Sequence, residues 1–159
     1  MNARDIMTSQ VVSVSSSAPI REVADVLAEY RISGVPVVDE QGQMLGLVTE
    51  ADLISKQGKT AADIMSPRVV TVREATPVDE VAQILTSNRF KRVPVMREER
   101  LVGIVSRADI VRMMASRWVC AICGDIEHGR HPADCPSCGA DGSHFERELD
   151  PRPEVSQHQ

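Results

Sequence analysis

A chain that repeats itself must fold as copies of one unit, and residues 1–117 match themselves at an offset of 58. Asp5-Ile6-Met7 aligns with Asp63-Ile64-Met65, and Val11 to Val14 aligns with Val69 to Val72. Glu22-Val23-Ala24 meets Glu80-Val81-Ala82, and Val35-Pro36-Val37 meets Val93-Pro94-Val95. After a one-residue deletion, Leu45-Gly46-Leu47-Val48-Thr49 meets Val102-Gly103-Ile104-Val105-Ser106, and Asp52 meets Asp109.

Both copies show the same order of elements. The β-branched runs Val11 to Val14 and Val69 to Val72 predict first strands. Ile20, Val23, Ala24, Leu27 and Tyr30 then follow helical spacing, with one stripe to bury. In the second copy Thr76 is the expected N-cap and Pro77 the first helical residue. Hairpins are expected from Val35–Val38 with Leu45–Thr49, and from Val93–Met96 with Leu101–Ser106. A closing helix runs from Asp52 to about Lys56, and its counterpart from Asp109 to about Ser116. A β-α-β-β-α unit this small cannot cover both faces of its sheet, whereas two packed together can. The fold class is therefore α/β (α+β). The 42% hydrophobic content of the 159 residues allows one ordinary core and a small appendage.

These features, each present twice, resemble the CBS domain family, in which two repeats form a pseudo-twofold module. The resemblance implies an adenosine nucleotide, AMP, ADP or ATP, as regulatory ligand. It assigns ribose and phosphate contacts to Thr49 and Asp52, and to Ser106 and Asp109. A helix N-terminus offers free N–H groups to phosphate, but the same Ser/Thr-x-x-Asp pattern also serves as a capping box. The strands carrying Val35-Pro36 and Val93-Pro94 would flank the ligand, and first-strand residues Ser13 and Thr71 would reach the base. Lys91, Arg92 and Arg107 make the second repeat the more basic, so a phosphate should favour that side. Residues 1–117 contain neither Cys nor His, so no nucleophile and base pair is available there, and a non-enzymatic, signal-transducing role is expected. The family also buries its apolar helix faces against a second pair, which implies a homodimer through Ile54, Ile110 and Met114.

All four cysteines fall between Cys120 and Cys138. Cys120 and Cys123-Gly124, then Cys135 and Cys138-Gly139, form two C-x-x-C-G knuckles that can enclose one metal in a tetrathiolate site. His128 and His131 lie between them and are surplus to a complete shell. With too little core to fold alone, the segment should depend on its metal. Trp118, the knuckles, His128-Gly129 and Phe145 together resemble the rubredoxin-like domain of rubrerythrins, which implies iron and electron transfer. Asp125 departs from that pattern, standing where an aromatic residue is usual. Tetrahedral thiolate geometry suits Fe and Zn alike.

Four segments are expected: repeats at 1–58 and 59–117, the metal domain at 118–150, and a disordered tail at 151–159. Residues 1–117 carry fifteen basic and fifteen acidic side chains, against three and eight in residues 118–159. That acidic surface argues against nucleic acid and leaves a protein partner of the C-terminal domain as an open role. No window approaches the about 20 apolar residues of a membrane span, and no leader pattern is present, so a cytoplasmic protein is expected. Beside the nucleotide-sensing role stand two alternatives: an electron carrier gated by nucleotide, and a zinc ribbon that recruits a protein.

Overall fold

The computed structural model describes residues 1–148. The expected tail, and the last two residues of the expected metal domain, lie outside them. The chain divides into two compact units, Asn2–Arg107 and a second beginning at Ala108.

In the first unit, α1 (Ala3–Ile6), β1 (Val14–Ser15), α2 (Ile20–Tyr30), β2 (Gly34–Val38), β3 (Met44–Thr49) and α3 (Glu50–Ser55) make the first repeat. The second repeat follows with α4 (Ala61–Ile64), β4 (Val72–Arg73), α5 (Val78–Ser87), β5 (Arg92–Arg97) and β6 (Arg100–Ser106). Each repeat forms a three-stranded sheet in which the hairpin is antiparallel and the short first strand pairs parallel to its middle strand. The middle strands are the most buried: Val35, Pro36, Val37, Val93, Pro94 and Val95 are closed off from solvent. Burial on both faces is why these runs are continuously apolar rather than alternating.

The openings of the two repeats are exchanged. Ala3 N–H donates to the Thr76 carbonyl and Arg4 N–H to that of Glu74, so α1 caps the second repeat. Ala61 and Ala62 donate equivalently to Ala18 and Ser16. Ala61 and Ile64 of α4 then complete the core of the first repeat with Val14, Val23, Leu27, Val35, Val37 and Val48. At about 25 cal/mol per Å² of apolar surface, this burial is what joins the repeats.

Three expectations need correction. Only Val14–Ser15 and Val72–Arg73 are strand, because the preceding residues of each run leave their middle strand without pairing to it. Pro77, not Thr76, is the N-cap of α5; the Thr76 hydroxyl instead accepts from the Arg73 N–H at 3.0 Å, closing the turn before the helix. The closing helices start two residues early, α3 at Glu50 and α6 (Arg107–Met114) at Arg107, because Thr49 itself caps α3.

The second unit contains α6 from Ala108 onward, then a sheet of β7 (Arg117–Cys120), β8 (Ile126–His128) and β9 (Phe145–Glu148) in the order β8-β7-β9. Trp118, Cys120, Cys135 and Phe145 form its small core, with Ala140 against them. The Trp118 indole donates to the Gly129 carbonyl at 2.9 Å, so its polar edge is satisfied inside that core. Among the described residues, no helix is long and apolar enough to cross a membrane.

Candidate functional site

The tetrathiolate cluster is built by local turn geometry. Gly124 and Gly139 sit at φ 78° and 75°, the left-handed region open to glycine, and donate to the Cys120 and Cys135 carbonyls at 2.8 and 2.9 Å. The four Sγ atoms lie within 4.8 Å of one another, with Cys120–Cys138 at 3.8 Å and Cys123–Cys135 at 3.6 Å. A tetrahedral metal with sulfur at about 2.3 Å requires S···S separations of about 3.8 Å, so the donor set fits a single Zn or Fe ion. The Cys123 N–H pointing at Cys120 leads the effects that hold its thiol down at about 7, against desolvation. For Cys123 the Asp125 N–H pulls downward, but desolvation and the neighbouring sulfurs prevail and push it up to about 12. Four sulfurs this close cannot all ionise without a cation among them. His128 and His131 stand outside the cluster. The His131 ring packs edge-on to Trp118, with centroids 4.6 Å apart. Asp125 accepts from the Ser137 hydroxyl at 2.6 Å and lies 3.9 Å from the Cys135 sulfur.

The Ser/Thr-x-x-Asp residues are helix starts. Asp52 Oδ2 accepts from the Thr49 N–H at 2.9 Å and hydroxyl at 3.0 Å, while Thr49 Oγ1 accepts from the Asp52 N–H and Lys56 pairs with Oδ1 at 2.9 Å. Asp109, equally buried, pairs with Arg112. Arg107 turns its guanidinium to the Phe90 carbonyl at 2.9 Å and to the Leu85 carbonyl at the end of α5. Ser106 lies opposite Arg92 in the β5–β6 ladder, and Lys91 is exposed with its carbonyl accepting from the Arg107 N–H. Val35, Pro36, Val93 and Pro94 are buried strand residues, so they shape the sheets rather than present polar groups.

Two clefts open in the first unit, one of about 410 Å³ and one of about 360 Å³. Ser13 lines the larger and Thr71 the smaller, and both hydroxyl residues are exposed. Ser9 and Val11 of the larger cleft correspond to Pro67 and Val69 of the smaller, at the repeat offset. Each cleft is completed by the other repeat's hairpin: Leu101 and Val102 close the first, Met44 and Leu45 the second. Thr49, Asp52, Ser106, Lys91 and Arg92 do not line either cleft. Two charged lining residues, Arg97 and Glu99, escaped the sequence reading because neither lies in a motif. Their positions near the second hairpin's turn were the available signal.

The family description "CBS domain" matches residues 3–59 and 61–116, and "Rubrerythrin, rubredoxin-like domain" matches residues 118–146. L-aspartate semialdehyde sulfurtransferase of Methanocaldococcus jannaschii is 33% identical over 118 residues, covering 72% of this chain and 23% of the relative. The chain spans less than half of such archaeal relatives, 43% of another. Among solved structures, CBSX2 of Arabidopsis thaliana in complex with AMP is 28% identical with a TM-score of 0.67, covering 70% of this chain and 93% of that one. The CBS domain pair of protein MJ0100, in complex with 5-methylthioadenosine and S-adenosyl-L-methionine, is 34% identical with a TM-score of 0.64, covering 70% and 98%. With the repeats, the exchanged openings and the cysteine cluster already described, the chain belongs to the CBS domain family, as a tandem pair followed by a rubredoxin-like domain of the rubrerythrin type.

Proposed function

We propose that this protein is a regulatory sensor of adenosine ligands whose two clefts bind them, and that the metal-bearing unit transmits or reports the bound state. The pair of pseudo-equivalent clefts carries this reading. Both fall within the about 300–1,000 Å³ of small-molecule sites, and each combines apolar walls with an exposed hydroxyl residue just before the repeat's first strand. Because each cleft draws its walls from both repeats, ligand binding energy acts on how the repeats pack. A ligand that prefers one packing shifts the population toward it by that difference in affinity.

Ser13 and Thr71 supply the first polar contacts in this reading. A ribose hydroxyl reaching Asp52 or Asp109 would share the carboxylate with Lys56 or Arg112. The relatives with bound AMP, methylthioadenosine and S-adenosylmethionine support adenosine as the common moiety. Calorimetry with AMP, ATP and S-adenosylmethionine tests the proposal. Binding that weakens in Ser13→Val and Thr71→Val supports it, and no binding of any of the three at millimolar concentration overturns it.

A second reading follows from the rubredoxin-like match: iron in the tetrathiolate site carries one electron, and the nucleotide module gates it. Metal analysis with a visible spectrum of the anaerobically purified protein separates the two. A red ferric tetrathiolate favours the carrier, and colourless stoichiometric zinc favours the sensor with a structural metal.

A further inference from the structure

Asp125 meets both cysteine knuckles. Its carbonyl accepts from the Cys120 N–H at 2.8 Å, its own N–H points at the Cys123 sulfur, and its carboxylate reaches across to lie 3.9 Å from the Cys135 sulfur. The Ser137 hydroxyl, inside the second knuckle, donates to the same carboxylate oxygen at 2.6 Å. Main-chain bonds on either side of the residue and a side-chain bond at its tip therefore fix where the charge sits. Asp125 is half-buried, and among the described residues no ion pair offsets it.

The main-chain groups around the cluster act in the opposite direction. The Ile122 and Cys123 N–H groups point at the Cys120 sulfur, and the Ala140 N–H points at the Cys138 sulfur. Such dipoles stabilise negative charge on sulfur. One-electron reduction of iron held by four thiolates moves no proton, so it adds a whole negative charge to the site, and net charge and hydrogen bonds to sulfur then set its potential. The N–H dipoles favour that added charge. A carboxylate beside a ligand sulfur opposes it with a full unit charge, and Cys135 is buried, where solvent screens least.

We propose that Asp125 sets the redox balance of the tetrathiolate site: its carboxylate, held beside Cys135 by Ser137, favours ferric over ferrous iron and biases the site toward giving up its electron. The aromatic residue usual at this position carries no charge, so the departure at Asp125 is what distinguishes this site. The inference deepens the electron-carrier reading and rests on it for its use in the cell.

Spectroelectrochemistry on the full-length, iron-reconstituted protein tests it, with the electron supplied by the electrode at constant pH. Asp125→Asn keeps an oxygen for the Ser137 hydroxyl and removes the charge. It should lower the ferric-to-ferrous ratio at a fixed potential about tenfold, a rise of about 59 mV in midpoint. Asp125→Tyr, which installs an aromatic residue at that position, should move the midpoint the same way and replaces the Asn variant if that one fails to load iron. Glu146→Gln, which removes an exposed carboxylate from β9, should leave the midpoint in place. An unchanged ferric visible spectrum shows that the ligand set is intact in each variant. A midpoint that stays or falls when Asp125 is replaced, or an equal rise in Glu146→Gln, overturns the proposal. Protein isolated with zinc alone sinks the carrier reading, while the shift measured after iron loading still decides the role of Asp125. Failure of the wild type to form a ferric tetrathiolate on reconstitution overturns both.

Discussion

Met65 lies over Gly46 so closely that a β-carbon added there would sit 2.8 Å from its sulfur and 2.8 Å from the Ser66 carbonyl oxygen. The repeat-equivalent pair is Met7 over Gly103. Each methionine ends the Asp-Ile-Met opening of one repeat, and each glycine lies in the hairpin of the other. The ladders agree: Leu47 bridges to Ser66, and Ile104 to Thr8. The glycines are thus the points where one repeat's backbone admits the other's opening.

Gly46→Ala should destabilise the protein by about 1–3 kcal/mol, the usual cost of overpacking, because a backbone carbonyl blocks the new methyl group. Gly103→Ala should cost less. Its two nearest obstacles are the sulfur and Cγ of Met7, which can rotate aside, leaving only Cβ at 3.1 Å to give way. Urea unfolding monitored by circular dichroism measures both, and equal losses would contradict the distinction.

The capping box at α3 predicts an acid dependence. Burial pushes the Asp52 carboxyl upward, but the Lys56 ammonium and the Thr49 N–H and hydroxyl outweigh it and hold it below its ordinary 3.8. A carboxyl depressed in the folded state contributes stability that is present above its unfolded pKa and lost as pH falls through its folded one. Asp52→Asn should therefore cost about 0.5–2 kcal/mol at pH 7, and the gap from wild type should close below about pH 4. Thermal melts of both proteins from pH 7 to pH 3 give the comparison. A gap that stays constant throughout would show that ionisation plays no part.

The hairpins were legible because their apolar runs and turn residues are local, and the cysteine ligands because two C-x-x-C-G knuckles carry their own turns. The helices α1 and α4 were not, since four residues are too few to show a 3.6 period. Their capping boxes were nonetheless written in Asn2 with Asp5 and Thr60 with Asp63. The exchange of openings left no local signal, because Ala61 and Ile64 reach the first repeat through tertiary packing. The clefts are only half legible for the same reason: Ser13 and Thr71, which line them, sit in runs that the repeat singles out, but the walls that face them come from the other repeat. The contacts of Arg107 with the Phe90 and Leu85 carbonyls leave no local signal either, because those residues lie some twenty positions upstream.

Self-association is expected from apolar side chains left at the surface. Ile54 on α3 is 87% exposed, and Val111 and Met114 on α6 are 62% and 65% exposed, while Ile110 is half-buried. Val111 and Met114, three residues apart, share one face of α6, and a contiguous exposed apolar face marks an interaction surface. Light scattering should give twice the 17.4 kDa chain mass, and Ile54→Glu combined with Met114→Glu should return it to the monomer. A wild-type monomer at high concentration would refute the dimer.

Metal removal should reach beyond the knuckles into α6. The Gly129 N–H donates to the Ser116 carbonyl at 2.8 Å, and the Arg147 guanidinium to the Ser116 hydroxyl at 2.7 Å, so the residues just after α6 are tied to the sheet of the metal-binding segment. That sheet has a core of four buried residues, two of them the ligands Cys120 and Cys135. So small a core depends on metal–thiolate bonds, worth about 10–16 kcal/mol in zinc-finger peptides. Stripping the metal with a strong chelator, or replacing Cys120 and Cys123 by Ser, should make residues 118–148 protease-sensitive. It should also speed amide exchange at the C-terminal end of α6, while Val35–Val37 and Val93–Val95 in the first unit keep their protection. Hydrogen exchange read by mass spectrometry resolves all three regions. Protection lost equally in the middle strands would mean that the metal supports the whole chain, and α6 unchanged would mean that the Ser116 contacts do not couple it to the metal.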